Sequence, residues 1–184
     1  MIKIPTSDTE NKSVVKKWYS ELRPDVVVDI GPGEGTYSDL LRHQHRGYWY
    51  GVEAWGPYVT KFNLWNKYDR VIISDARHVD YATIHHGPDL VIAGDVLEHM
   101  AHEESKEVLA RLKAWSRNVI ISVPLVHHDQ DSWEGNWFEH HQDHWSHEQM
   151  MENLGEGVVD YREGEILGYY WFSREKAAGV EDVH

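Results

Sequence analysis

The sequence predicts an α/β fold: a doubly wound, mostly parallel seven-stranded sheet that ends in an antiparallel hairpin. Three observations predict it. Short β-branched runs alternate with amphipathic helical stretches at the spacing of βαβ units. A glycine-rich segment, Gly31-Pro-Gly-Glu-Gly35, sits between the first such run and the first helix after it. Near the carboxyl end the rhythm breaks, and two strand-like runs are separated only by Glu163-Gly164-Glu165.

The elements follow in order. Residues from about Thr9 to Leu22 suit an amphipathic helix with Val14, Val15, Trp18, Tyr19 and Leu22 on one broad face, stopped by Pro24. Val26 to Ile30 has the length and branching of a buried strand. A helix over about Thr36 to His45 turns Tyr37, Leu40 and Leu41 inward, and Gly47 ends it. Tyr48 to Glu53 reads as the second strand, and Pro57 to Tyr68 as the next helix. Val71 to Asp75 and Asp89 to Ala93 are the third and fourth strands, and Glu103 to Trp115 a helix with Val108, Leu109, Leu112 and Trp115 inward. Asn118 to Val123, closed by Pro124, is the fifth strand. Val158 to Arg162 and Ile166 to Phe172 form the hairpin. Crossover handedness places ligands of such a sheet at the carboxyl ends of its strands.

Length and composition set the limits. A chain of 184 residues is expected to be one domain. Its parts read as an N-terminal helix over 1–24, a core with the glycine segment over 25–125, a histidine-rich segment and helix over 126–155, a hairpin over 156–174 and a tail over 175–184. No stretch approaches the ~18 apolar residues of a membrane span, and the N-terminus lacks a signal-peptide apolar region. Without cysteine there is no disulfide, thiolate metal site or catalytic thiol, and a cytoplasmic setting is expected. The net charge of −13 repels a phosphate backbone, which makes nucleic acid an unlikely partner. A small neutral or cationic substrate fits better, with the chain a monomer or homodimer.

The glycine segment reads as a nucleotide-type cradle, in which glycines permit a tight turn and the following helix points free N–H groups at a ligand. A dinucleotide fingerprint places its third glycine one residue later, where Thr36 stands, and a P-loop needs Lys-Ser/Thr after the last glycine. What remains, Asp29-x-Gly31-x-Gly33-x-Gly35, resembles the first motif of the class I S-adenosylmethionine-dependent methyltransferases. Further matches lie in Glu53, Asp75-Ala76, Asp95-Val-Leu-Glu-His-Met100 and Ser122-Val-Pro-Leu125.

The resemblance implies a Rossmann-like methyltransferase fold, S-adenosylmethionine as cofactor and S-adenosylhomocysteine as product. It implies that Asp29 lies near the amino end of the methionine portion, beside the backbone of Gly31, Gly33 and Gly35. Glu53 would accept hydrogen bonds from both ribose hydroxyls, and Asp75, with the small Ala76 beside it, would meet the adenine amino group. Tyr37 would pack on the methionyl portion and Trp55 on adenine, with Ala54, Asp95 and Val96 completing the cofactor site. Gly94-Asp95-Val96-Leu97 departs from the Asn/Asp-Pro-Pro-Tyr/Phe of enzymes that methylate exocyclic amines of nucleic-acid bases. The expected reaction is therefore in-line methyl transfer to an oxygen or nitrogen of a small-molecule acceptor.

Fourteen histidines crowd the chain, among them His85-His86, His127-His128 and Glu139-His-His-Gln-Asp-His-Trp-Ser-His147. On a helix His140, His144 and His147 would share a face, but Pro124, Gly135 and Asn136 make the region loop-like. Ser146 followed by Gln149 reads as the start of a helix that ends at Leu154-Gly155. In the resembled family such a segment folds over the open face next to the sulfonium methyl. Trp137, Glu139 and His140 are expected to touch the acceptor, with Trp133, Phe138 and His141 nearby. His99 and His141 are the candidate general bases, since a histidine pKa near 6.5 suits neutral pH. The sequence assigns no residue to a metal. A metal enzyme built on the His-rich loop and a non-catalytic S-adenosylmethionine-binding protein are the alternative readings.

Overall fold

The structure is a computed structural model, and it describes residues 11–126 and 135–179. Seven strands form one sheet: β1 (Val26–Ile30), β2 (Tyr48–Glu53), β3 (Arg70–Ile73), β4 (Leu90–Gly94), β5 (Asn118–Pro124), β6 (Val158–Glu163) and β7 (Leu167–Ser173). Their order is β3-β2-β1-β4-β5-β7-β6. The first five run parallel, whereas β7 pairs antiparallel with both β5 and β6. The expected doubly wound sheet with a terminal hairpin is what forms. Strand order reverses at β1, which has β2 on one side and β4 on the other, so a crevice opens beyond the carboxyl ends of β1 and β4.

Continuous apolar strands are explained by burial on both faces. Val28, Ile30, Val91, Val119, Ile121 and Tyr170 join one core layer, under α6 (His102–Trp115) and α7 (His147–Leu154). Their neighbours Val27, Leu90, Ile92, Ile120 and Tyr169 join the other layer, with α1 (Lys12–Leu22), α2 (Thr36–Leu41), α3 (Gly56–Lys61) and α4 (Leu64–Lys67). Adjacent residues point to opposite faces of a strand, so one run of branched side chains serves two layers. Trp18, Trp49 and Trp145 are wholly buried in these layers.

Several boundaries differ from expectation for local reasons. The helix expected over Pro57 to Tyr68 is two, because Asn63 adopts a left-handed φ of 54° between α3 and α4. The helix after the glycine loop stops at Leu41, short of His45, and β3 ends at Ile73, two residues before Asp75. Two unexpected single turns appear, α5 (Tyr81–Ile84), capped by Asp80, and α8 (Arg174–Ala177). Residues 141–146 take no regular form, so His140, His144 and His147 do not share a helical face. The helix start at Ser146 forms as expected: its Oγ accepts from the Gln149 N–H at 3.2 Å, and the Gln149 Oε1 accepts from the Ser146 N–H at 2.8 Å. Among the described residues no helix is long and apolar enough to cross a membrane.

Candidate functional site

At the carboxyl end of β1 the chain turns through Gly31, whose N–H donates to the Val52 carbonyl at 2.8 Å. Gly31 has φ +64°, and a Cβ there would lie 2.6 Å from Cγ2 of Val96, so only glycine lets the loop lie against the end of β4. Two residues on, the Gly33 N–H donates to Oε2 of Glu53 at 3.2 Å, while the Trp55 N–H donates to Oε1 at 2.8 Å. The loop and the acid that ends β2 are thus one unit. Burial pushes the Glu53 carboxyl up to about 7, against the lowering effect of those backbone donors.

Asp29 lies behind this unit. It is 1% exposed, and its Oδ2 accepts from the Tyr68 hydroxyl at 2.6 Å. Burial pushes its carboxyl up to about 7, with the Tyr68 bond pulling the other way. Asp29 therefore ties β1 to the residue that follows α4 and does not line the cavity. Gly35 also stays outside it, packed where a Cβ would strike the Lys67 side chain.

After β3, Asp75 is gripped by Arg77, whose Nε and Nη2 donate to the carboxylate at 2.7 to 3.1 Å and whose backbone N–H adds a bond of 2.8 Å. Burial alone would raise the Asp75 carboxyl, but these donors together hold it below its ordinary value. The same guanidinium reaches Glu104 on α6 at 3.0 Å. After β4, Asp95 takes a left-handed φ of 56°. It is held there by the Ser122 carbonyl, which accepts its N–H at 2.9 Å, and by the Ser122 hydroxyl, which donates to its Oδ1 at 2.7 Å. The Tyr37 hydroxyl lies 3.1 Å from the Ser122 Oγ, so a polar chain joins α2, β5 and the loop after β4.

A 3-10 turn, Leu97–His99, carries Glu98 and His99 to the same opening. The segment over 140–145 is pinned across it. The N–H groups of Gln142 and Asp143 donate to the Glu98 carbonyl at 2.9 and 3.3 Å, and the Gln142 side chain donates to the His99 carbonyl at 3.1 Å. This brings the rings of His99 and His141 to 4.9 Å, edge to face. Burial, and then the neighbouring His141, push the His99 imidazole down to about 4. Burial drives the Glu98 carboxyl well above the ordinary carboxylate range.

These elements enclose a cavity of about 480 Å³. Of the residues named from sequence, Gly31, Gly33, Tyr37, Glu53, Ala54, Asp75, Ala76, Asp95 and Val96 line it, as do His99, Glu139 and His141. Asp29, Gly35, Trp55, Trp137 and His140 do not. Trp137 is 75% exposed and points away, and His140 is exposed beside it. Trp133, His127 and His128 lie outside the described residues. Sequence reasoning passed over Glu34, Arg77, Glu98, Asn136, Ile166 and Leu167, which also line the wall. Glu98 stood inside a quoted motif, but nothing in sequence told its inward carboxylate from a solvated one. The lining carries the carboxyl groups of Glu34, Glu53, Asp75, Asp95, Glu98 and Glu139, of which Glu98 is pushed by burial toward its neutral form, and one guanidinium, Arg77, itself engaged by Asp75 and Glu104. Such a wall favours a cationic ligand.

No protein-family model matches the sequence, and no curated protein matches it. Solved structures do. The N-terminal domain of EvdMO1, with S-adenosylhomocysteine bound, superposes with a TM-score of 0.65 at 14% identity, covering 91% of this chain and 82% of that one. The methyltransferase domain of a bacterial Hen1, CtHen1-CN, gives 0.66 at 18% identity over 88% and 96% of the two chains. Magnesium protoporphyrin IX methyltransferase from Synechocystis PCC 6803, with S-adenosylmethionine bound, gives 0.64 at 17% over 88% and 77%. The fold is therefore the Rossmann-like fold of S-adenosylmethionine-dependent methyltransferases.

Proposed function

We propose that this chain is a single-domain, S-adenosylmethionine-dependent methyltransferase acting on an oxygen or nitrogen of a small-molecule acceptor. The observation that carries the reading is the bond from the Gly33 N–H to Glu53, which joins the glycine loop to the acid ending β2 at the sheet's switch point. EvdMO1 and the protoporphyrin methyltransferase hold S-adenosylhomocysteine and S-adenosylmethionine on the same fold. The acidic lining supports a ligand that carries a sulfonium and an ammonium group.

In this reading Glu53, already oriented by two backbone donors, receives the ribose hydroxyls. Ala54, Ala76 and the Asp75–Arg77 pair border the adenine. Asp75 reaches the base with a carboxylate already shared with Arg77, which narrows the free acceptor positions it offers. Gly31, Tyr37 and Asp95 flank the methionyl portion, while Asp29 acts from behind by holding the loop through Tyr68. S-adenosylmethionine supplies an already activated methyl group, so the protein contributes chiefly alignment, worth up to roughly 7–11 kcal/mol in favourable cases. Glu139, His141 and Phe138 form the acceptor side of the cavity. His99, held neutral and weakly basic by burial, is a poorer proton acceptor than the sequence suggested. The acidic surface argues against nucleic acid, and the lack of cysteine is compatible with a cytoplasmic setting.

Titration calorimetry with S-adenosylmethionine, S-adenosylhomocysteine and NAD tests the reading. The first two are expected to bind with one-to-one stoichiometry and NAD not to. A labelled-methyl screen against hydroxyl and amine acceptors then seeks the substrate. NAD binding tighter than S-adenosylmethionine overturns the proposal, and binding without transfer to any acceptor reduces it to a cofactor-binding protein.

A further inference from the structure

The carboxylate of Glu98 and the imidazoles of His99 and His141 meet on one wall of the cavity, with a ligating atom of each within 4.8 Å of the others. Glu98 is 1% exposed, yet its Oε2 has no hydrogen-bond partner among the described residues, and neither has Nδ1 of His99. Buried polar atoms are normally satisfied, so two orphans side by side call for an explanation. The backbone around them is not loose. The Glu98 and His99 carbonyls are the anchors to which Gln142 and Asp143 attach, and this holds His141 opposite His99.

We propose that Glu98, His99 and His141 bind a divalent transition-metal cation, and that the methyl acceptor is an oxygen nucleophile coordinated to it. The second part rests on the reading of the chain as a methyltransferase. Two imidazoles and one carboxylate form a borderline donor set, suited to Mn²⁺, Fe²⁺, Co²⁺ or Zn²⁺ rather than to Mg²⁺ or Ca²⁺, which take oxygen donors. Such ions bind these donors at about 2.0–2.2 Å, so the ligating atoms must close by about 1 Å, which rotation of the half-exposed His141 can supply. Three protein ligands leave positions open for an acceptor.

The metal also decides between oxygen and nitrogen. A neutral amine has one lone pair, and coordination consumes it, whereas a hydroxyl oxygen keeps lone pairs after binding. The metal lowers the hydroxyl's pKa, and its proton leaves to Glu139 or to solvent. The alkoxide lone pair then forms the new O–CH₃ bond as the S–CH₃ bond breaks. The electron pair of that bond goes to sulfur, which turns from a sulfonium into a neutral thioether. Glu98 and His99 thus act as ligands, and His141, one of the two candidate bases, acts through the metal.

The test uses untagged, metal-stripped full-length protein. Co²⁺ is followed by visible absorption and Mn²⁺ by electron paramagnetic resonance. One equivalent is expected to bind, with affinity reduced at least about tenfold in His141→Gln and in the near-isosteric Glu98→Gln, a loss no smaller than that typical of a disrupted supporting residue. His86→Gln, exposed and remote, should bind as wild type. Failure of both ions to bind, or binding that His141→Gln leaves unchanged, overturns the site and leaves Glu98 as a buried neutral carboxyl. Calorimetry with S-adenosylmethionine on the same samples separates the two readings. Cofactor binding without metal binding sinks only the metal site, whereas absence of cofactor binding sinks the methyltransferase reading. A labelled methyl found on nitrogen, with transfer indifferent to chelator, refutes the oxygen acceptor.

Discussion

Replacing Glu53 by glutamine should stabilise the empty protein at high pH while weakening its hold on the cofactor. The Glu53 carboxyl rises from its usual 4.5 to about 7 on folding, and the dominant cause is burial. Its folded value lies above the unfolded one, so the folded state takes up the proton. Stability is therefore full at low pH and falls as pH rises from about 4.5, levelling above about 7. The full penalty is about 3 kcal/mol, and about 2 kcal/mol of it sets in between pH 5.5 and 8.5. Glutamine cannot titrate, but it turns an amide group toward one of the two donors, Gly33 N–H or Trp55 N–H, losing about 1 kcal/mol at either pH. The variant is thus expected to match wild type near pH 5.5 and to exceed it by about 1–2 kcal/mol at pH 8.5. Removing the charge also relieves Asp29, which feels Glu53, and this acts in the same direction. Urea unfolding of ligand-free protein at both pH values measures the difference. A stability change that is the same at pH 5.5 and 8.5 refutes the account of a strained carboxylate. Calorimetry at pH 8 should show S-adenosylmethionine weakened by about 1–3 kcal/mol. Unchanged affinity removes Glu53 from the ribose site.

Other substitutions probe other parts. Gly31→Ala forces a Cβ against Val96 at a positive φ and should cost about 1–3 kcal/mol in chemical denaturation, with cofactor affinity falling alongside; a neutral result would mean the loop is not held as described. Ser146→Ala removes the cap of α7 and should cost about 1 kcal/mol, read from the same denaturation curves. The double variant Glu139→Ala with His141→Ala should keep cofactor affinity by calorimetry and lose methyl transfer in the labelled assay; wild-type transfer and acceptor affinity would remove that wall from the acceptor site.

The central strands and their alternation with helices were legible because burial on both faces of a sheet favours branched side chains, which fill Val26 to Ile30 apart from Asp29 and Val119 to Val123 apart from Ser122, whereas the edge strand β6 is mostly exposed and was legible only from the hairpin it forms with β7. The acids Glu53, Asp75 and Asp95 were legible because each follows the last apolar residue of a strand, and the carboxyl ends of parallel strands share one edge. Helix ends were less so. The break at Asn63 depends on a left-handed turn that asparagine permits but does not require.

What the sequence by itself determined was the sheet and the line of acids along it, since both follow from periodicity and chain direction. Tertiary structure decided which polar groups look into the cavity. Asp29 is turned behind the loop by the Tyr68 hydroxyl, 39 positions away, and Trp137 swings out to solvent. Glu98, His99 and His141 converge because two N–H groups of the segment over 140–145 bond to the Glu98 carbonyl. Those bonds join parts of the chain about forty residues apart, and no local pattern encodes where such partners meet.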